Sequence, residues 1–405
     1  MISSLPFLCN FVGSVKKLPT ANIDEDCNSM CLRTNFQKRY KAATGKDLAF
    51  SSEKKVLILS RRFDPESDLL SSKLLDRGID YVRIDLEDIL YINLLISYKS
   101  FFSSPDAISG SNNIITLSGE SAFIQDISKI GAVLLRHFDL DNLDFTFADG
   151  SNGVVQKFAF QQWFHALTVL KDQLARTCQW INTFESMNAV SNNRVRQLSL
   201  AKSVGFETPD TIITNDAKEA KEFYYSHNKN VIIKALHHHL LEFNDEMYPI
   251  NGHKLSDSEL HKLDASLIYA PSLLQERLCK KSELRVTVVG DQVFAAEIVF
   301  NTELAKNEDI HLCEPSEFSI MPVNDNKLYE SLKQPCIELV TRRLGLRYGA
   351  IDFIIPDDND GGHYNCPIFL EVNSVGYWLW IEHRTKQPIT ESLVDLLEKQ
   401  IIGST

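Results

Sequence analysis

The sequence predicts an α/β chain with more than one lobe, and three observations carry that reading. Strand-length apolar runs alternate with helical patterns from Lys55 onward, which implies a mostly parallel sheet. Farther along, Leu284 to Ile298 reads as a long hairpin turning at Gly290-Asp291. At 405 residues the chain exceeds one ordinary domain, and 44% hydrophobic and 10% aromatic residues can fill several cores.

In order, Val56-Leu57-Ile58-Leu59 is a buried strand and Ser67 to Arg77 a helix closed by Gly78. Tyr81 to Ile84 is the second strand, and Gly131 to Arg136 the third, beyond a hairpin-like region from Ile114 to Phe123. No Gly-x-Gly-x-x-Gly follows the first strand, so the phosphate loop of a dinucleotide fold is missing. Arg136 closes the third strand, where open α/β sheets bind substrates; a solvated arginine fits the same place. Val154 to Arg176 is a long helix whose Phe160, Trp163, Phe164, Leu167 and Leu170 recur at packing spacing. Trp180-Ile181-Asn182 precedes a helix from Ser186 to Ser203 that ends at Gly205. Thr208 to Asp216 is a short strand running into a helix, with Asp216 as its N-cap.

Asn230 to Leu236 is a strand carrying Lys234 in a β-branched run. That cation either meets an anion such as a nucleotide phosphate or snorkels to solvent. His237-His238-His239 follows, but successive strand residues alternate faces, so the three do not converge on one ion. Ser272 to Leu278 is a further strand with polar insertions, Lys327 to Leu344 a helix, and residues 388–402 a last amphipathic helix. Gly349 to Ile355 carries Asp352 inside an apolar run, and Phe369 to Gly376 carries Glu371 and Asn373. A carboxylate in such a run is costly unless compensated. Glu371 and Asn373 share one strand face, and oxygen-only ligands suit magnesium. The alternative is that Asp352 caps a turn and Glu-x-Asn ends a strand.

The 42 Lys and Arg against 54 Asp and Glu leave a net charge of -12, which argues against a nucleic-acid binder. No apolar run approaches the roughly 18 residues needed to span a bilayer, and the first residues lack the pattern of a secretory signal. A cytoplasmic protein without membrane partners is expected. The eight cysteines read as reduced thiols, and Cys27 and Cys31 have no matching second pair for zinc. Residues 1–53 read as a partly ordered extension, in which Leu5 to Val12 could form a docking segment.

Taken in order, Lys234, Gln275-Glu276, Glu283, Arg285, Asp352, Glu371 and Asn373 make the chain resemble the ATP-grasp superfamily, from about Lys55 to the C-terminus. Within it, Trp180-Ile181-Asn182, Asn193-Arg194, Gly205 to Asp216, Glu283-Leu284-Arg285-Val286 and the tail from Glu371 to Glu382 are similar to the graspetide synthetases. These are microviridin-type macrocyclases of ribosomal peptides. The resemblance implies an ATP-grasp fold with an extension (1–53), a pre-ATP-grasp α/β domain (54–185), a central subdomain (186–274) and a C-terminal subdomain (275–405), the last two sandwiching the nucleotide. It implies ATP and Mg2+ as cofactors. Arg194 and Lys234 would hold phosphates, Gln275, Glu276 and Leu278 adenine, and Glu283 the ribose hydroxyls. Arg285, with Lys234, would face the transferred phosphoryl group, while Asp352, Glu371 and Asn373 hold the metal. Arg136, Trp378, Trp380 and Glu382 are the substrate-side candidates.

The implied activity phosphorylates Asp or Glu side chains of a precursor peptide and closes esters or amides to Ser, Thr or Lys. The partners would be that peptide, with its leader segment, and a second copy of the chain. Three departures stand out: Arg194 where many relatives have lysine, a hairpin-like His237 to Gly252 with one glycine, and Asp309-Ile310-His311 in place of Asp-x-Arg. Leu5 to Phe11 is similar to the Pro-Phe-Phe helix of microviridin leaders. Two other functions fit the nucleotide residues: a ligase acting on free amino acids or peptide termini, and a nucleotide-binding scaffold without turnover.

Overall fold

A computed structural model describes residues 54–89, 95–99, 114–119, 122–124, 127–140, 153–191, 193–236, 240–243, 246–249, 252–306, 310–357, 364 and 366–403. The expectations for residues 1–53, His237 to His239 and Asp309 lie outside them.

The first strands are saturated with β-branched and leucine side chains because both faces are covered. β1 (Lys55–Ser60) is followed by α1 (Pro65–Asp76) and β2 (Tyr81–Asp85), and β3 (Leu95–Lys99), β4 (Ile114–Gly119) and β5 (Ala122–Ile124) form a small antiparallel sheet. Next come β6 (Ile130–Leu135), α2 (Gly153–Thr177) and β7 (Gln179–Ile181), giving a parallel sheet in the order β2-β1-β6-β7. Helix α1 begins at Pro65, ahead of the expected Ser67, because proline is well suited to the first helical position. Gly78 ends its connection at φ 69°, a conformation glycine adopts freely.

The expected single helix over Ser186 to Ser203 is two: α3 (Phe184–Ser191) and α4 (Arg194–Ser203). Asn193 breaks it, its side chain accepting from the Arg196 amide at 2.9 Å, since asparagine prefers the N-cap to a helix interior. Val190, Leu198 and Ala201 of this pair share a core with Phe369 and Val372, so these helices pack on the C-terminal sheet instead of the central one. The central sheet takes β8 (Thr211–Thr214), then, after α5 (Ala217–Ser226), β9 (Val231–Lys234). An antiparallel pair, β10 (Leu240–Phe243) and β11 (Glu246–Pro249), precedes β12 (His253–Lys254) and β13 (Ser272–Glu276), and the sheet order is β12-β9-β13-β8. Asp216 caps α5 by accepting from the Lys218 amide at 2.8 Å. Because β13 ends at Glu276, Leu278 lies in the connection beyond it.

The C-terminal sheet comprises β14 (Lys280–Val289), β15 (Gln292–Phe300), β16 (Phe318–Pro322), β17 (Tyr348–Pro356) and β18 (Ile368–Asn373), ordered β16-β15-β14-β17-β18 and antiparallel throughout. Between β16 and β17, α6 (Asn326–Ile337) contains Pro335 and widens into a π turn at Glu338–Arg343 in place of the regular helix expected to Leu344. Proline lacks the amide hydrogen that an unbroken helical ladder needs. The chain ends in α7 (Leu379–Thr385) and α8 (Ile389–Gly403). Leu393, Val394 and Leu397 of α8 pack with Val56, Ile58, Ala132 and Leu134, so the last helix covers the first sheet. Among the described residues no helix is long and apolar enough to cross a membrane.

Candidate active site

Strand register assembles the centre of the site. Arg285 on β14 stands opposite Asp352 on β17, Asp352 opposite Glu371 on β18, and Ala350 opposite Asn373. Paired residues of adjacent strands share a face, so one cation, two carboxylates and an amide converge there. Arg285 Nη1 donates to both Asp352 oxygens at 2.8 and 2.9 Å, and its Nη2 donates to the Tyr377 carbonyl at 3.3 Å. Asn373 Nδ2 donates to Asp352 Oδ2 at 2.8 Å and to Glu371 Oε1 at 3.1 Å. The amide nitrogen thus lies between the two carboxylates, bridging them as a cation would.

This donor set fits magnesium. Two carboxylates and an amide supply hard oxygen ligands, and half a turn of the Asn373 amide presents Oδ1 where Nδ2 now points. Burial pushes the Glu371 carboxyl up, but the charges of Arg194 and Lys234 outweigh it and bring its pKa down to about 2. Arg194, at the start of α4, ion-pairs directly with Glu371. Lys234 reaches toward the same carboxylate from β9, and its Nζ donates to Gln275 Oε1 at 3.2 Å. Gly252 packs against the lysine stem; a Cβ there would stand 2.8 Å from Lys234 Cγ. Three cations from three elements therefore face one acidic cluster, an arrangement with the charges and oxygen donors that a metal-bound polyphosphate requires.

Gln275 is buried, donating through Nε2 to Thr211 Oγ1 at 2.9 Å. Glu276 accepts from Tyr364 Oη at 2.9 Å, and its own amide donates to the Asp210 carbonyl at 2.9 Å. Glu283, farther along β14, ion-pairs with the largely buried Lys280. The Asp309 to His311 motif cannot be placed: Asp309 and the His311 side chain lie outside the described residues.

Three of the substrate-side candidates make structural contacts within the chain. Trp378 is only 1% exposed, and its Nε1 donates to Thr390 Oγ1 at 2.9 Å. Glu382 accepts from the Thr390 amide and hydroxyl, both at 2.7 Å, and so anchors the start of α8. Arg136 is 2% exposed, with Nε 2.8 Å from Asp64 Oδ2 and its guanidinium 4.5 Å from the centre of the Trp378 ring. A buried arginine needs an anion, and Asp64 supplies it while also accepting from Ser60 Oγ at 2.9 Å. Trp380 is partly exposed, its Nε1 donating to the Tyr377 carbonyl at 3.1 Å.

Two residues that the sequence reading quoted only inside longer motifs, without a role, support the site. Asn182, after β7, donates to the Tyr348 and Ser374 carbonyls at 2.8 and 2.9 Å and accepts from the Arg347 and Tyr348 amides at 2.7 and 3.0 Å. It ties the first sheet to both strands that carry the acidic cluster. Gly376 lets the chain pass Arg285; a Cβ there would lie 2.5 Å from Arg285 Nη2. The signal for Gly376 was present in the sequence, a lone glycine just beyond the Glu-x-Asn strand.

No protein-family model matches the chain, and no curated protein does. Solved structures do. The macrocyclase MdnC of Microcystis aeruginosa, bound with precursor peptide MdnA, is 21% identical at a TM-score of 0.68, covering 85% of this chain and 99% of that one. A RiPP-associated ATP-grasp ligase of Chryseobacterium gregarium, in complex with ADP and a leader and core peptide, is 23% identical at 0.70, covering 86% and 97%. Macrocyclase MdnB of Microcystis aeruginosa is 22% identical at 0.62, covering 85% and 99%. With 85–86% of its length matching nearly the whole of those proteins, the chain has the ATP-grasp fold.

Proposed function

We propose that this chain is an ATP-dependent ligase that activates side-chain carboxylates of a ribosomal precursor peptide and joins them to Ser, Thr or Lys side chains of the same peptide. The observation that carries the reading is the register-matched group of Arg285, Asp352, Glu371 and Asn373, faced by Arg194 and Lys234 from other elements. The structural neighbours that hold precursor peptides and ADP support the peptide as substrate and ATP as the phosphoryl donor.

In this reading Lys234 and Arg194 bind the ATP phosphates, and the β13 end at Gln275 and Glu276, with Leu278 beyond it, lies against adenine. Glu283 takes the ribose hydroxyls. Magnesium, held by Asp352, Glu371 and Asn373, would neutralise charge on the transferring phosphoryl group. Arg285, held flat by Asp352, presents its remaining donors to that group while an acceptor carboxylate attacks the γ-phosphorus and ADP leaves. A hydroxyl or amine then displaces phosphate from the acyl phosphate. Fixed cations suit such a reaction because charge stabilisation and alignment carry most of it.

The divisions at 54–185, 186–274 and 275–405 are supported by the separate sheets, with α3 and α4 moved to the last. A homodimer is supported by α2, which leaves Val155, Phe158 and Phe164 exposed along one long helix. Incubation with ATP, magnesium and a precursor rich in Thr, Ser, Lys, Asp and Glu tests the function: each ring formed removes one water, read as a loss by mass spectrometry. Unchanged peptide mass with unconsumed ATP would reject it.

A further inference from the structure

The acidic cluster accounts for phosphate and metal but leaves the acceptor carboxylate without a binding group. Such a group should border Arg285 without belonging to the nucleotide side. Tyr377 is the residue that connects the two. Its carbonyl accepts from Arg285 Nη2 at 3.3 Å, and the residue is 41% exposed. Its hydroxyl accepts from Arg61 Nη2 at 2.7 Å, and its ring stacks on His137 with centroids 5.2 Å apart. Arg61 directly follows β1 and His137 stands two residues beyond β6, at the carboxyl ends of adjacent parallel strands, the side on which open α/β sheets bind ligands.

Charge distinguishes the two arginines of this corner. Arg136 is neutralised by Asp64 and buried. Arg61 is half-buried, its guanidinium pairs with no carboxylate among the described residues, and its Nε is buried without a hydrogen-bond partner. His137 carries no compensating charge: burial, with Arg136 and Arg61 nearby, lowers its pKa to about 4. The result is one uncompensated guanidinium fork beside an exposed aromatic ring, one residue's length from the phosphoryl-transfer arginine. Guanidinium forks match carboxylates in shape and charge.

We propose that Arg61, with Tyr377 and His137, forms the ledge that binds the acidic side chain the enzyme activates. The proposal rests on the ligase reading above. It makes Arg61 a specificity-determining residue for Asp or Glu over their amides, and it moves the substrate contact from Trp378 to its exposed neighbour Tyr377.

The test uses two acceptors: capped glutamate, and a synthetic peptide carrying Glu and Asp beside Ser, Thr and Lys. Each is supplied with ATP, magnesium and hydroxylamine. A carboxylate oxygen attacks the γ-phosphorus and the bridging P–O bond to ADP breaks. Hydroxylamine nitrogen then attacks the acyl carbon, phosphate leaves with the C–O electrons, and the nitrogen proton passes to solvent. The hydroxamate is measured. Arg61→Gln should raise the KM for the acceptor about tenfold or more, the range for losing a charged hydrogen bond. ADP affinity by titration should stay unchanged, which also shows that the variant is folded, and Arg61→Lys should recover part of the loss. If the wild type converts an acceptor and Arg61→Gln converts it with unchanged KM, the ledge is overturned and the ligase reading stands. If the wild type converts neither acceptor, the ligase reading fails and the ledge with it.

Discussion

Replacing Gly376 with alanine tests how tightly the site depends on one close approach. The new Cβ would stand 2.5 Å from Arg285 Nη2, 2.8 Å from Ala350 Cβ and 3.3 Å from Asn373 Cβ. An unstrained contact needs about 3.5 Å or more, so roughly 1 Å must be found. Ala350 is wholly buried and cannot yield. Arg285 can retreat only by lengthening its bonds to Asp352, 2.8 and 2.9 Å, or to the Tyr377 carbonyl. Overpacking of this kind costs about 1–3 kcal/mol, offset by about 0.4–1 kcal/mol from the stiffer unfolded chain. The expected stability loss is therefore modest, about 0–2.5 kcal/mol. On the proposed function, in which Arg285 faces the transferring group, the loss of activity should be larger, because displacing such a group by about 1 Å costs on the order of a hundredfold in rate. Urea unfolding at constant slope gives the first quantity, and ADP formation at saturating ATP and acceptor gives the second. Gly205→Ala is the contrast: at φ 98° with nothing within 4 Å of its Cβ, it strains only the backbone, and its rate per folded molecule should match the wild type. A Gly376→Ala enzyme within about twofold of the wild-type rate would show that Arg285 is not held as described.

Asn182→Ala removes four hydrogen bonds, two donated and two accepted, and leaves backbone groups of Arg347, Tyr348 and Ser374 unpaired. A drop of about 3 kcal/mol or more in unfolding free energy is expected, and a urea midpoint near wild type would contradict it. Arg194→Gln should make the protein more acid-sensitive. Glu371's folded pKa of about 2 lies below its ordinary 4.5, so its stabilisation is present above 4.5 and is lost as pH falls through about 2. Without Arg194 the folded value rises toward the ordinary one, so circular dichroism should place the acid transition at higher pH; an unchanged transition rejects the ion pair's role. Glu66→Gln should have the opposite character. Burial first of all raises the Glu66 carboxyl, and its Oε2 has no hydrogen-bond partner. Its contribution is therefore present at low pH and is lost as pH rises through the raised value. The glutamine variant should be at least as stable as wild type at neutral pH, with a shrinking advantage in acid; a pH-independent difference would refute this.

The parts of the site legible in the sequence are those that violate a local pattern. Asp352, Glu371 and Asn373 stand out because each replaces an apolar residue in a strand, and strand periodicity then fixes their face. Lys234 stands out for the same reason. What could not be read is anything decided between sheets. Arg136 and Asp64 are 72 positions apart and meet only when β1 and β6 pair. Asp64 stands at the start of α1, just before Pro65, yet its side chain makes no capping bond and serves Arg136, Ser60 and Ser67. The segment from Ser374 to Trp378 is neither strand nor helix, so no periodicity tells which of two adjacent aromatics faces outward. Packing decides it: Trp378 covers Arg136 and finds Thr390 for its indole N–H, whereas the Tyr377 hydroxyl accepts from Arg61 at the surface. The buried tryptophan fixes the segment against the first sheet, and Tyr377 and Gly376, one and two positions earlier, hold Arg285 from the other side. On the proposed function, a change at Arg136 or Trp378, both buried, should therefore reach phosphoryl transfer through the backbone.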